Sequence, residues 1–340
     1  MIPNSSLVKF SDAALPPAGW YPDPSGARRQ RYFDGSNWTR HYAVPLGESL
    51  ITARPPWWRR PKNPIIAAGI VLTAAAIGVI AYLPTRPSLA PGETVLPFTG
   101  LSSPDAVAVD SAGDVFVADF HNNQVVKLAP ASGTQTVLPF TGLKSPNGVA
   151  VDNAGDVYVT DSGNDRVVKL AAGSSTQEVL PFTGHKYPNG VAVDTDDTVY
   201  VADTDNYRVL KLAAGSIAQT ELPFTGLSDS LGVAVDTAGT VYVADSIHNR
   251  AVKLAAGSST QTVLPFTALK GPNGVAVDTA GTVYVADTRN YRVVKLAAGS
   301  STQTVLPYSG STPEGVAADT AGNVYVGDAV NHRVVKLAAH

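Results

Sequence analysis

The sequence predicts an all-β protein built around a six-bladed β-propeller with four-stranded blades. Three observations lead there. From residue 94 onward one pattern is written six times, and Leu96, Leu138, Leu180, Leu222, Leu264 and Leu306 of its Leu-Pro-Phe/Tyr motif recur every 42 residues. A period near forty, filled with short runs rich in valine, tyrosine and threonine, marks propeller blades, and no apolar period of 3.6 survives to suggest helices. The array also opens with the end of a unit: "TVLPFTG" at residues 94–100 precedes the first complete repeat.

Taken from the N-terminus, residues 1–18 carry no periodic signal and read as a flexible lead. Residues 19–42, "GWYPDPSGARRQRYFDGSNWTRHY", set aromatic-rich runs around the turn signals Pro-Asp-Pro and Asp34-Gly35. They predict a small hairpin-like module clamped by Trp20, Tyr21, Tyr32, Phe33 and Trp38. The pattern G-W-Y-P-D-P…R-Y-F-D-G-x-x-W-T resembles a short Trp/Tyr-rich actinobacterial domain of unknown function, a resemblance that implies lineage rather than chemistry. Residues 43–63 form a basic, proline-rich linker.

Residues 65–83, "IIAAGIVLTAAAIGVIAYL", contain neither a charge nor a proline. As a helix they span about 28 Å, enough for a hydrocarbon core, and a transmembrane helix is expected over residues 64–83. "RPPWWRRPK" before it supplies cations and an interfacial tryptophan pair. Residues 1–62 hold nine Lys/Arg against four Asp/Glu, whereas the remainder holds 16 against 24. Positive-inside then puts the N-terminus in the cytoplasm and residues 84–340 outside, on a signal anchor rather than a cleavable signal. Residues 84–93 form a second linker.

Within one unit, residues 275–277 predict strand A, 282–286 strand B, 292–296 strand C and 304–306 strand D. Strand A is glycine, valine and alanine, which suits a crowded axis. Six A–B–C sets and six D strands are present, but the first D has no set before it and the last set, ending at 333–337, has no D after it. Pairing residues 94–96 beside 333–337 closes the ring and removes two exposed edges.

"PNGVAVDTAGTVYVADTRNYRVVKL", with its "NHR" variant at residues 331–333, resembles the NHL repeat, and the likeness covers residues 94–340. The phrase "AAGSSTQTVLPFTGL…PNGVAVDTAG", assembled from several units, resembles the extracellular sensor domain of mycobacterial receptor serine/threonine kinases. That resemblance implies a propeller displayed outside the cell on a transmembrane helix. It carries over no kinase: the sequence shows no glycine-rich phosphate loop, no V-A-I-K, no H-R-D and no D-F-G.

Asp119, Asp161, Asp203, Asp245, Asp287 and Asp328 end strand B, while Arg166, Arg208, Arg250, Arg292 and Arg333 begin strand C, with Gln124 in the first blade. Columns copied into every unit read as braces for the B–C turn. Specificity belongs where copies disagree, in the D–A and B–C loops, which share one face of a four-stranded meander. Displayed there are Phe120, His121, Lys144, Lys186, Tyr187, Asp205, Tyr207, Arg289, Tyr291 and His332, along with His185, His248 and Lys270. This predicts binding of an extracytoplasmic protein, peptide or glycan in a sensor, adhesion or scaffold role.

A second set precedes strand A near the axis: Asp105, Asn147, Asn189, Asn273 and Glu314, with Leu231 in the fourth blade. These oxygens could hold a calcium-like divalent cation and support a hydrolase or lyase, or they could simply be turn residues. No cysteine is present, which excludes disulfides, thiolate metal sites and cysteine nucleophiles. The histidines lie in loops of different blades and show no H-E-x-x-H spacing, so neither an enzyme nor a resident cofactor is expected. The acidic balance of the outer portion argues against nucleic acid.

Overall fold

The computed structural model describes residues 19–22, 30–33, 38–43 and 89–339. They fall into two units, divided between residues 79 and 80.

In the first unit, strands Gly19–Pro22, Gln30–Phe33 and Trp38–Ala43 form an antiparallel meander, Trp20 opposite Tyr32 and Phe33 opposite Trp38. This is one strand more than the expected hairpin. The second aromatic run is split by Asp34-Gly35, so "WTRHYA" returns as a strand of its own. The flexible lead and the helix expected over residues 64–83 lie outside the described residues. Among those described, no helix is long and apolar enough to cross a membrane.

The second unit is a ring of six four-stranded antiparallel sheets. Blade 1 runs from Pro104–Val109 (A) through Val115–Asp119 (B) and Gln124–Ala129 (C) to Thr134–Val137 (D). Blades 2 to 5 begin at Pro146, Pro188, Ser230 and Val275. Blade 6 joins Pro313–Ala318, Val324–Asp328 and Arg333–Leu337 to a strand from the start of the array, Glu93–Val95. Val335 lies opposite Val95, Lys336 opposite Thr94 and Leu337 opposite Glu93, so the ring closes as predicted. The predicted strands agree to within a residue: strand B of blade 5 is Val283–Asp287 and its strand D is Thr304–Val305.

The alternation of strand B explains its sequence. In "VYVAD" every residue is buried, because each blade is sandwiched between two neighbours. Each inter-blade core takes side chains from both sides: Tyr158, Val167 and Leu180 of one blade meet Val191, Val201 and Leu210 of the next. Glycine in strand A answers the crowding. A Cβ on Gly315 would stand 2.7 Å from the Asp105 carbonyl oxygen of the adjoining blade 1, closer than any side chain permits. The A–B turns hold themselves. Asp152 accepts the backbone N–H groups of Ala154 and Asp156 and, at 3.0 Å, the Tyr158 hydroxyl, an arrangement repeated at Asp194, Asp236, Asp278 and Asp319.

Candidate functional site

The D–A and B–C loops do share a face, laced by backbone hydrogen bonds from His121 to Ser102, Gly163 to Lys144, Asp205 to Lys186 and Arg289 to Lys270. Most B–C loops make a short 3-10 turn, such as Phe120–Asn122 or Thr204–Asn206, and then a left-handed residue. The aspartate column anchors this corner. Asp161, wholly buried, accepts Lys144 N at 2.6 Å, Asn164 Nδ2 at 2.8 Å and Arg166 Nε at 2.5 Å. Its counterparts do the same, with Gln124 replacing arginine at Asp119 and His248 replacing asparagine at Asp245. Each carboxylate therefore ties its own B–C turn to the D–A loop entering its blade. The column is architecture, as the sequence predicts.

A second link, which sequence reasoning missed, joins neighbouring blades. The left-handed residue accepts a backbone N–H from the next D–A loop: Asn123 from Ser145, Asp165 from Tyr187, Asn249 from Gly271 and His332 from Ser103. Blades 3 and 5 place tyrosines there instead, Tyr207 at φ 57° and Tyr291 at φ 56°. A left-handed conformation is unfavourable for so bulky a residue, and both rings stand exposed, at 57% and 63%. Tyr187, at φ 49°, adds a third, next to the Lys186–Asp205 ion pair at 3.4 Å.

Exposure sorts the predicted residues. His121, Lys144, Lys186, Tyr207, His248, Lys270, Arg289, Tyr291 and His332 are exposed, and Tyr187 and Asp205 half-buried. Phe120 is not displayed. It opens its 3-10 turn, a position also buried at Ser162, Thr204 and Ser246, and its ring packs inward with His121 edge-on at 5.0 Å. Two residues that the sequence did not single out join the surface: Ile247, 51% exposed, and Val330, 63% exposed. Tyr207, Ile247, Tyr291 and Val330 occupy the B–C loops of four consecutive blades, an apolar crescent on an otherwise polar face. His185 replaces the leucine of Leu101, Leu143, Leu227 and Leu269. Its ring packs against Phe182, both ring nitrogens are buried without hydrogen-bond partners, and desolvation holds its pKa below the usual imidazole range.

At the axis, Asn273 Nδ2 donates to Glu314, and Ser103 Oγ donates to Asp105 at 2.8 Å. Burial lifts Glu314 to about 7, with the Asn273 hydrogen bond and the Arg289 charge opposing it. Burial also pushes Asp105 well above the usual carboxylate range, and Glu314 pushes it further. The like charges of these two residues, on the adjoining blades 6 and 1, explain that coupling. Asn147 is 6% exposed and its Nδ2 has no partner. Among the described residues, no group of three or more His, Asp or Glu is placed to hold a metal ion. The opposite mouth holds a cavity of about 180 Å³ ringed by Asp152, Asp194, Asp236 and Asp278, the carboxylates that close the A–B turns.

These features define a class: a closed six-bladed propeller of NHL type, uniform on one face and varied on the other. Residues 95–340 match the virginiamycin B lyase family, and the chain belongs to it. Residues 18–56 match a domain of unknown function, DUF2510. The chain is 51% identical over 158 residues to serine/threonine-protein kinase PknD of Mycobacterium tuberculosis, an alignment covering 38% of this chain and 24% of the kinase. Among solved structures, a streptogramin B lyase superposes with TM-score 0.56 at 16% identity, covering 72% of this chain and 96% of that one. Virginiamycin B lyase from Staphylococcus aureus, a catalytically inactive variant with quinupristin, gives 0.55 at 15%, covering 72% and 83%. A nidogen/laminin complex gives 0.58 at 19%, covering 63% and 85%. At such identities the likeness is one of fold.

Proposed function

We propose that this chain is a single-pass membrane protein whose extracytoplasmic propeller binds a protein or peptide on its D–A/B–C face. The crescent of Tyr207, Ile247, Tyr291 and Val330 carries the reading. Two of its four members sit in an unfavourable backbone conformation, and none is held by a core. Exposed aromatics on a rigid scaffold are the usual anchors of interfaces. The sequence likeness to PknD supports a sensor-type role, and the cations before residues 64–83 support the topology.

A photo-crosslinking amino acid at position 291, in cells, tests it. Specific adducts are expected there and not at Ile217, which is 86% exposed in a C–D turn on the uniform face. Equal labelling at both positions sinks the reading. A second reading, acid–base catalysis at the axial mouth, draws on the buried Asp105 and Glu314 carboxyls, both raised above the usual carboxylate range. Turnover of a lactone or ester that is lost in Glu314→Gln would favour it.

A further inference from the structure

The charges on the variable face are unevenly shared among the blades. Apart from the Asp–Arg braces, the D–A and B–C loops of five blades each carry a carboxylate: Asp105, Asp165, Asp205, Asp229 and Glu314. Those of blade 5 carry none and hold two cations, Lys270 and Arg289. Blades 2 and 3 have one cation each, Lys144 and Lys186, and Lys186 pairs with Asp205 at 3.4 Å. Blade 5 is a basic corner in a stretch, residues 63–340, that holds 16 Lys/Arg against 24 Asp/Glu.

The arginine of this corner is held in place. Its stem and Nε lie across Gly271, where a Cβ would meet Arg289 Cδ at 2.6 Å and Nε at 2.8 Å. The matching residues of the other D–A loops, Ser103, Ser145, Tyr187, Asp229 and Thr312, all carry the Cβ that would displace it. Arg289 also takes the B–C loop position that Ile247 fills in blade 4 and Val330 in blade 6. Its place in the ring therefore falls between two apolar members of the crescent, two residues before Tyr291. Lys270 and Arg289 are both exposed, and neither side chain makes a hydrogen bond or ion pair among the described residues. The Arg289 charge bears on Glu314, but that carboxyl already accepts from Asn273 Nδ2.

We propose that blade 5 docks an acidic segment of a protein or peptide partner. A carboxylate of the segment meets Arg289 and Lys270, while an aromatic or aliphatic side chain beside it packs on Tyr291 and the flanking Ile247 or Val330. The inference rests on the reading of the variable face as a recognition surface, and names the chemistry of what that surface takes. A guanidinium fork suits a carboxylate in two-point contact. Because its stem is laid across Gly271, Arg289 gives up less freedom on binding than a loose side chain would. Apolar neighbours that exclude water strengthen the contact beyond an ordinary exposed ion pair. The same cations turn away a basic segment, and the acidic balance of the rest of the propeller keeps an acidic one from settling elsewhere.

Full-length protein in detergent micelles is immobilised and panned with a random dodecapeptide library displayed on phage. Enriched peptides are expected to combine Asp or Glu with an aromatic or aliphatic residue. Their synthetic forms should bind at least about tenfold more weakly to Arg289→Glu and to Lys270→Glu, and nearly as well to Lys270→Arg. Affinity should also fall between about 50 and 300 mM salt. Charge reversals at exposed positions should leave the melting temperature in place, which separates lost binding from lost folding. Enrichment of no sequence, or of acidic peptides that bind both reversals as tightly as the unaltered chain, overturns the proposal. Peptides without acidic residues that need Tyr291 also overturn it, and leave the recognition face standing. Peptides indifferent to Tyr291→Ser and to both reversals sink that face as well.

Discussion

Glu93 Oε2 accepts the backbone N–H of Ser309 at 3.0 Å, in the place where a glutamine fastens each of the other five seams. Gln135, for instance, accepts Thr99 N at 2.8 Å and donates to Thr99 O at 2.9 Å, a two-way clamp that a carboxylate cannot make. Glu93 Oε1 is buried without a hydrogen bond, and Arg333 Nη2 stands 3.9 Å away. Tyr308 Oη and Ser309 Oγ, also buried, lack partners in the same seam. Glu93→Gln should complete the clamp and raise stability by about 1 kcal/mol, or about 2–4 °C in melting temperature. A lower melting temperature would show that the distant arginine matters more.

The aspartate column should be far less tolerant than the arginines that meet it. Asp161→Ala strands a backbone N–H, an asparagine amide and a guanidinium, and should cost about 3–5 kcal/mol in urea melts. Arg166→Gln should cost less than about 1 kcal/mol, because Gln124 Nε2 already serves Asp119 at 2.8 Å in blade 1. Similar losses from both would mean that charge, not hydrogen bonding, holds the corner.

His185 makes the fold acid-sensitive. Its folded pKa lies below the ordinary value of 6.5, so between the two the unfolded chain binds more protons. Stability is therefore full above about 6.5 and falls as pH drops through the folded value. His185→Leu, restoring the residue of four other blades, should flatten that decline in melting temperature. An unchanged pH profile would assign it to other groups.

Tyr207 and Tyr291 should trade stability for recognition. Asparagine visits the left-handed region readily, so Tyr207→Asn and Tyr291→Asn should each gain up to about 1 kcal/mol. Tyr207→Asn should also abolish crosslinking to the partner from position 291, and Tyr291→Asn crosslinking from position 207. Variants that are more stable and bind equally well would make these rings ornamental.

The chain contains no cysteine, which makes topology directly measurable. A single cysteine at Ser5 should resist a membrane-impermeant maleimide in intact cells, and one at Tyr291 should react. The reverse pattern would invert the proposed orientation.

What the sequence made legible follows from repetition. Copies of valine, tyrosine and the Asp–Arg pair fix strands A to C, and the unmatched residues 94–96 foretold the closing strand. Sequence reasoning failed where a residue departs from its column. Phe120 looked like a surface aromatic, although its counterparts Ser162, Thr204 and Ser246 are all tucked under the turn. Glu93 breaks a glutamine column, Gln135, Gln177, Gln219, Gln261 and Gln303, that was visible but was not compared. The inter-blade bonds of Asn123 and Asp165 depend on a left-handed turn that brings together residues 22 apart, a distance no local pattern announces. At the axis the residue types were legible. The hydrogen bond from Asn273 to Glu314 was not, because it joins residues of neighbouring blades.

The closing strand also has a mechanical meaning. Tension applied to the chain ahead of Leu89 reaches Glu93–Val95 first, since those three residues are the outer edge of blade 6 and the head of the array at once. A tug from that side would shear a ladder of three residue pairs before loading any other blade. The wheel is thus built with a fuse at its rim, and peeling it away would bare the flank of Arg333–Leu337 while five blades stay intact.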